Sequence, residues 1–148
     1  MAWGDYETAH VRVHFTDRTV IIEPAPPGQV GVDFPAEFGG ETVFIITAHD
    51  PGGKPATAEA NAADEQRLSA TLDALGVTRH RAEGGGSEWV HVEASELVVG
   101  VNEATALRLG REYDQVAIFG WSPQAWEIIA CKEARRTTLG WRLHSVLQ

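Results

Sequence analysis

The chain has 148 residues, of which 43% are hydrophobic and 22% are charged, so length and composition predict one globular domain over residues 1–148. Its formal net charge of −9, with no run of more than two basic residues, argues against binding to nucleic acid or to an anionic membrane surface. The single cysteine excludes an intramolecular disulfide, and no apolar run approaches the roughly 20 residues of a membrane-spanning helix, so we expect a soluble, cytoplasmic protein.

The first predicted elements are two strands joined by a short turn. Apolar and polar residues alternate over residues 10–15, which is typical of a half-buried strand. After a turn at residues 17–18, residues 19–23 predict the hairpin partner of that strand. Residues 28–40 then form a long connection, and the sequence leaves open whether this connection acts as a lid.

A third strand and the first helix follow. The apolar run at residues 41–47 predicts the strand. The helix is predicted to begin after Thr57, because a threonine side chain can accept a hydrogen bond from the first turn. It is predicted to end at Leu75, because Gly76 suits the left-handed conformation that terminates many helices.

The second half of the chain predicts further strands and one short helix. Asn102 is a favourable residue for the start of that helix. Three glycines at residues 84–86 predict a flexible hairpin tip. The apolar spacing of the tail, residues 132–148, fits a helix or a strand, and we favour a helix. The predicted strands of this half lie at residues 77–81, at residues 88–93 with the apolar run 97–100 after them, and at residues 115–121 and 126–131.

This order of elements predicts the fold class. Hairpins predominate, and only two main helices are available to cover the strands. We therefore expect an α+β fold in the order β-β-β-α-β-β-α-β-β, with a mainly antiparallel sheet of about six to seven strands and the two helices packed on it.

Polar side chains are predicted to cluster where the third strand crosses to the first helix. The helix has a face of leucines, and extending that face toward the N-terminus reaches Glu65 and Asn61. His49 and Asp50 lie in the loop that precedes the helix. Because buried polar groups require partners, such a cluster is either a hydrogen-bond network or a functional site.

Both interpretations of this cluster stay open at the level of sequence. In the functional one, His49 and Glu65 are a catalytic acid–base pair, and Asp50 and Asn61 contact a ligand. In the structural one, Asp50 and Asn61 cap turns and helix ends, and Glu65 bonds to a nearby strand or arginine.

Four further residues are candidates for ligand binding. Trp89 and Glu93 share one face of a predicted strand and could line a cleft, although that face could also be exposed. Gln115 and Trp121 lie at the two ends of a buried-looking strand. The alternative roles are to satisfy backbone groups for Gln115 and to fill the core for Trp121.

The sequence predicts no metal site and no cofactor. His10 and His14 share a strand face, but Arg12 lies between them and would repel a cation, and no second pair of residues has ligand spacing. Phosphate-binding loops, dinucleotide fingerprints and nucleophile elbows are absent from the sequence.

Four motifs occur in order over residues 44–131: FIITAHDP at 44–51, Asn61 ahead of Arg67-Leu68, EASELVVG at 93–100 and QVAI at 115–118. Together they resemble a bacterial family catalogued as domain of unknown function 3293. Members of that family usually carry an aromatic residue and an asparagine where this chain has His49 and Asp50, and an amide at the position of Glu65. The resemblance implies a shared fold and no established activity.

These observations predict a small-molecule-binding protein of unknown ligand, with a polar, aromatic-walled pocket at the strand-to-helix crossover. One alternative is a cofactor-independent enzyme that uses His49 and Glu65 for acid–base chemistry on a small organic substrate. Another alternative is a protein-interaction module, which would bind its partner through the acidic surface and the exposed strand faces. We expect a monomer or a homodimer.

Overall fold

The computed structural model describes residues 2–147 and contains three helices and eight strands. Two short 3₁₀ turns lie at Ala36–Phe38 and Pro51–Gly53. The helices and strands are, in chain order, α1 (Trp3–Thr8), β1 (His10–His14), β2 (Arg18–Ala25), β3 (Val43–Thr47), α2 (Ala58–Leu75), β4 (Thr78–Gly85), β5 (Val92–Val99), α3 (Glu103–Glu112), β6 (Ala117–Ser122), β7 (Ala125–Ala130) and β8 (Arg136–Leu147).

The eight strands form a closed antiparallel barrel in the order β1-β2-β8-β7-β6-β3-β5-β4, and β4 pairs with β1 to complete the circle. The predicted open sheet of six to seven strands with two helices was therefore wrong. The tail is a strand and not the helix that we favoured, since β8 pairs with β2 along residues 140–147 and with β7 along residues 136–139. Closure removes the free edges that an open sheet would expose.

The β4–β5 hairpin also differs from the prediction. Gly84 and Gly85 continue β4 and pair with β1, whereas the expected strand at residues 88–93 begins only at Val92. Trp89 has a φ of 56°, in the left-handed region that a strand cannot contain. The alternation that predicted a strand over residues 88–93 thus lies mainly in a loop.

Large apolar side chains fill most of the inside of the barrel, as expected for a barrel of this strand number. The connection of residues 28–40 closes one end, where the Phe34 and Trp121 rings lie 4.8 Å apart and Phe38 is buried. Trp141 also packs there and donates its backbone N–H to the Gln29 carbonyl. The buried interior residues include Val11, Val13, Val20, Ile22, Ile45, Leu97, Trp121, Trp126, Ile128 and Trp141.

A second core lies between the outside of the barrel and the two longer helices. α2 contributes Leu68 and Leu72 to this core, and α3 contributes Ala106 and Leu109. α2 begins and ends as predicted: the Thr57 hydroxyl accepts a hydrogen bond from the Ala60 N–H, and Gly76 ends the helix with a φ of 67°. No helix within residues 2–147 is long and apolar enough to cross a membrane.

The short helix α1, which was not predicted, covers the other end of the barrel. Its Trp3 indole donates to the Thr137 hydroxyl at 2.9 Å, and the guanidinium of Arg135 lies 4.4 Å from the Trp3 ring centre. The Tyr6 ring contacts the edge of Phe119, an inward-facing residue of β6. α1 therefore closes the end of the barrel that lies beside the β3–α2 crossover.

Candidate functional site

A cavity of about 230 Å³ lies inside the barrel beneath α1. Its aromatic walls are Tyr6 and Phe119, and most of the remaining surface is apolar or glycine backbone. A single benzene ring occupies an engineered cavity of roughly 150 Å³, so this space suits one ring with a short substituent. The lining residues are Asp5, Tyr6, Thr8, Ala9, Val11, Ile45, Thr47, Gly84, Gly85, Gly86, His91, Glu93, Ser95, Ala117 and Phe119.

Glu93 lies near the start of β5, and its side chain lines this cavity. It lies opposite Gly84 in the ladder and shares its strand face with Ser95 and Leu97, which point into the barrel. Within residues 2–147, no group donates a hydrogen bond to the Glu93 carboxylate. Burial raises the pKa of Glu93; His49 opposes this effect and Asp50 reinforces it.

A second, smaller chamber of about 130 Å³ adjoins the first. Tyr6 and Glu93 line both spaces, so Glu93 stands at their junction. Burial and the nearby Glu93 raise the pKa of Tyr6 from its ordinary value of 10.0 to about 12. The other residues of the small chamber are His49, Asp50, Gly53, Pro55 and Gln115.

Asp50 is held in an unusual backbone conformation by hydrogen bonds to its side chain and main chain. Its φ of 46° lies in the left-handed region. One carboxylate oxygen, Oδ1, accepts from the Ala56 N–H and from Asn61 Nδ2, each at 3.0 Å. Burial would raise the pKa of Asp50, but these bonds and His49 outweigh burial and lower it. The second oxygen, Oδ2, lies 3.6 Å from His49 Nε2.

The main chain of His49 is held on both sides. Its N–H donates to the Thr47 hydroxyl at 3.0 Å, and its carbonyl accepts from Gln115 Nε2 at 3.1 Å. The His49 side chain is 27% exposed and faces Asp50 and Glu93. One ligand-type atom from each of these three residues lies within 4.8 Å of the other two. The site thus combines one imidazole and two carboxylates.

The structure brings together five of the eight residues that the sequence nominated: His49, Asp50, Asn61, Glu93 and Gln115. Asn61 and Gln115 are buried and bond mainly to the loop that carries His49 and Asp50. Their hydrogen bonds agree with the structural interpretation, in which they support the loop.

The other three nominated residues lie elsewhere. Glu65 is exposed, so its expected place on the buried face of α2 was wrong; the buried residues of that helix are Asn61, Leu68 and Leu72. Trp89 lies in the β4–β5 loop beneath the guanidinium of Arg12, at 4.5 Å, and does not line the cavity. Trp121 is fully buried in the core near the opposite end of the barrel.

Several residues of the site were not found from the sequence. Thr47 and Ser95 could have been found, because each lies two residues from an inward-facing residue, Ile45 in β3 and Leu97 in β5, and so shares its strand face. Tyr6 carries no such signal, since α1 is one short helix without a buried residue. Gly84 was assigned to a hairpin tip, yet it forms part of the cavity wall.

Comparison with known proteins supports the resemblance and adds no activity. Residues 46–118 match the model of a family described as Protein of unknown function (DUF3293). This match confirms the resemblance over just under half of the chain, a shorter span than the expected residues 44–131. It contains all five clustered residues but neither α1 nor β8. No curated protein and no solved structure matches the chain.

Proposed function

We propose that this protein binds a small organic molecule in the cavity beneath α1, with the polar end of the ligand at Glu93. The observation that carries the proposal is a mainly apolar cavity that ends at the half-buried Glu93 carboxylate, to which no group among residues 2–147 donates a hydrogen bond. Such a carboxylate is costly in the empty protein, and a ligand that donates a hydrogen bond to it removes the cost.

The cavity restricts the size and the charge of the ligand. Its volume of about 230 Å³ lies below the roughly 300–1,000 Å³ of pockets for drug-sized molecules, so the ligand is small. Glu93 and the nearby Asp50 oppose an anionic group. The preferred ligand is therefore a single-ring compound whose substituent is an amine or a hydroxyl.

Three probes of nearly equal size test this proposal: benzylamine, benzyl alcohol and benzoate. Each is titrated into ¹⁵N-labelled protein in the presence of a chelator, and amide shifts are followed around Tyr6, Gly84 and Glu93. We expect saturable shifts with benzylamine and benzyl alcohol, and at least about tenfold weaker binding of benzoate. Saturation by none of the probes, or the tightest binding by benzoate, would contradict the proposal.

A matched pair of variants shows whether the probes occupy the cavity. Gly84 lines the cavity and an added Cβ there meets no atom within 4 Å, so Gly84→Val should occupy part of this space. Arg81→Val places the same side chain at an exposed position of the same strand. Gly84→Val should abolish binding of benzylamine, and Arg81→Val should preserve it. Equal binding by both variants would place the probe outside the cavity.

A second candidate function is acid–base catalysis on a small substrate. The proximity of His49 to Glu93 favours it, because an imidazole and a carboxyl group that reach the same substrate can serve as general base and general acid. Glu65, the expected partner of His49, is exposed and does not belong to this cluster. A bell-shaped dependence of turnover on pH that disappears in both His49→Ala and Glu93→Gln would favour catalysis over simple binding.

A further inference from the structure

We propose that His49, Asp50 and Glu93 form a binding site for a divalent transition-metal ion. The site lies where the cavity meets the smaller chamber. It goes beyond the proposed function, because an ion can bind there whether or not the cavity accepts an organic molecule.

The spacing of the three side chains suits a single ion. One ligand-type atom from each lies within 4.8 Å of the other two. Ligands that bind one ion at roughly 2.0–2.2 Å are separated by about 3–4.4 Å, depending on the coordination angle. The three atoms therefore lie within about 1 Å of the separations that a single ion requires.

Asp50 is already oriented as a metal-binding carboxylate would be. Asn61 and the Ala56 N–H bind its Oδ1, whereas its Oδ2 points toward His49. In metal sites, ligating side chains are typically fixed by such outer hydrogen bonds, which orient the remaining lone pair toward the ion. The Asn61 side chain is buried and is itself fixed by the Asp50 N–H.

Among the described residues 2–147, the site holds two carboxylates and one imidazole but no lysine or arginine. Asp50 and Glu93 are close carboxylates, and no lysine or arginine within the described residues 2–147 forms an ion pair with either one. Glu93 also lacks a hydrogen-bond donor in that part of the chain. A divalent ion would neutralise both carboxylates and give Glu93 a partner.

The ligand set indicates which ions should bind. One imidazole nitrogen and two carboxylate oxygens suit Zn²⁺, Mn²⁺ or Fe²⁺, whereas Mg²⁺ and Ca²⁺ prefer oxygen ligands alone. Zn²⁺ should bind more tightly than Mn²⁺, following the general order of affinities for divalent ions. Three protein ligands leave at least one coordination position for water or for a bound molecule.

Calorimetric titration of the chelator-stripped full chain, purified without a histidine tag, tests the inference. Zn²⁺ should bind once per chain with a dissociation constant in the micromolar range or below, and Mg²⁺ should give no saturable heat at millimolar concentration. His49→Ala, Asp50→Asn and Glu93→Gln should each weaken Zn²⁺ binding at least about tenfold. Asn is tolerated at a positive φ and keeps the Oδ1 acceptor, so Asp50→Asn should preserve the loop.

Two histidines away from the site supply the controls. His10 and His144 lie on the outer surface, where His10 bonds to the Thr8 carbonyl and His144 to Glu23. His10→Ala and His144→Ala should leave Zn²⁺ affinity unchanged. Far-ultraviolet circular dichroism and thermal unfolding establish that each variant is folded. Absence of saturable Zn²⁺ binding, or binding that survives both His49→Ala and Glu93→Gln in folded protein, would overturn the inference.

The outcomes of the two proposals are separable. The organic probes are titrated with a chelator present, and the metal is titrated with no organic probe. Failure of the probes thus bears on the proposed function alone, and failure of Zn²⁺ bears on the metal site alone.

Discussion

Asn61 binds both the main chain and the side chain of Asp50. Its Oδ1 accepts the Asp50 N–H at 2.8 Å, and its Nδ2 donates to Asp50 Oδ1 at 3.0 Å. Through this pair, the first turn of α2 fixes the loop that follows β3 in its left-handed conformation. The same contact sets the direction in which His49 and Asp50 face Glu93.

The first prediction concerns the stability that this pair contributes. Asn61→Ala removes both bonds, which leaves the Asp50 N–H unpaired and its carboxylate with the Ala56 N–H alone, so we expect a loss of about 2 kcal/mol in the free energy of unfolding. Asn102→Ala, which removes the side-chain bond at the start of α3, should cost about 1 kcal/mol. Urea unfolding measures both losses, provided that the slope of the free energy of unfolding against urea concentration is the same in variant and wild type. A smaller loss for Asn61→Ala than for Asn102→Ala would mean that the loop is fixed by other contacts.

A second prediction concerns Glu93, whose charged form is unfavourable in the protein without a ligand. Glu93→Gln should raise the free energy of unfolding at pH 7 by about 1 kcal/mol, because an amide in the same place avoids the burial of a charge. The measurement requires a chelator, since a bound metal would stabilise the wild type alone. A destabilised variant would show that the carboxylate has a structural partner.

The parts of the fold that follow from the sequence are those with local causes. Alternation along residues 10–15 and 19–23 indicated the β1–β2 hairpin, and Thr57 and Gly76 indicated both ends of α2. Barrel closure has no local cause. It depends on the pairing of β8 with β2, about 120 residues apart in sequence, and on the twist and stagger of all eight strands.

The candidate site divides in the same way. The crossover from β3 to α2 indicated that His49 and Asp50 lie near Asn61, because the loop that carries them leads directly into the first turn of that helix. Glu93 joins them only through the pairing of β3 with β5, in which Thr47 lies opposite Ser95. Helical periodicity indicated the direction of the buried face of α2 but not its width, and for that reason Glu65 was misplaced.

A third prediction tests the exposure of Glu65. Glu65→Leu should change the free energy of unfolding by no more than about 0.5 kcal/mol, as is usual for exposed positions. A leucine on a buried face would instead stabilise by roughly 1 kcal/mol or more. Leu68→Ala, at a fully buried position of the same helix, should cost about 2–5 kcal/mol and serves as the contrast.

A fourth prediction concerns the dependence of stability on pH. Glu83 lies on the outside of β4, where its Oε1 accepts from Arg12 Nε and bonds to His14 Nε2, both at 2.6 Å. Burial alone would raise the pKa of Glu83, but these two partners outweigh burial and lower it below its ordinary value of 4.5. The native state therefore binds a proton less readily than the unfolded state does. The stability that Glu83 supplies should be complete at neutral pH and lost as the pH falls below about 4.5.

Glu83→Gln makes this expectation measurable. At pH 7 the variant should be less stable than the wild type by about 1–2 kcal/mol, and the difference should disappear toward pH 3. Glu88→Gln, at an exposed loop position, should follow the wild type across the range. Thermal unfolding at half-unit intervals of pH provides the curves. A difference between Glu83→Gln and wild type that stays constant with pH would exclude the proposed titration.

The last prediction joins the two proposals, because Glu93 takes part in both. A metal ion at His49, Asp50 and Glu93 neutralises the carboxylate that would bind an amine, so saturating Zn²⁺ should weaken benzylamine binding at least about tenfold. Linkage requires that benzylamine weaken Zn²⁺ binding by the same factor. Saturating Zn²⁺ should instead strengthen the binding of benzoate, since the carboxylate of benzoate can occupy an open position on the ion. Calorimetric titration of each ligand in the presence of the other measures both effects. If the affinity for each of Zn²⁺ and benzylamine is unchanged by the other, the two ligands do not share Glu93.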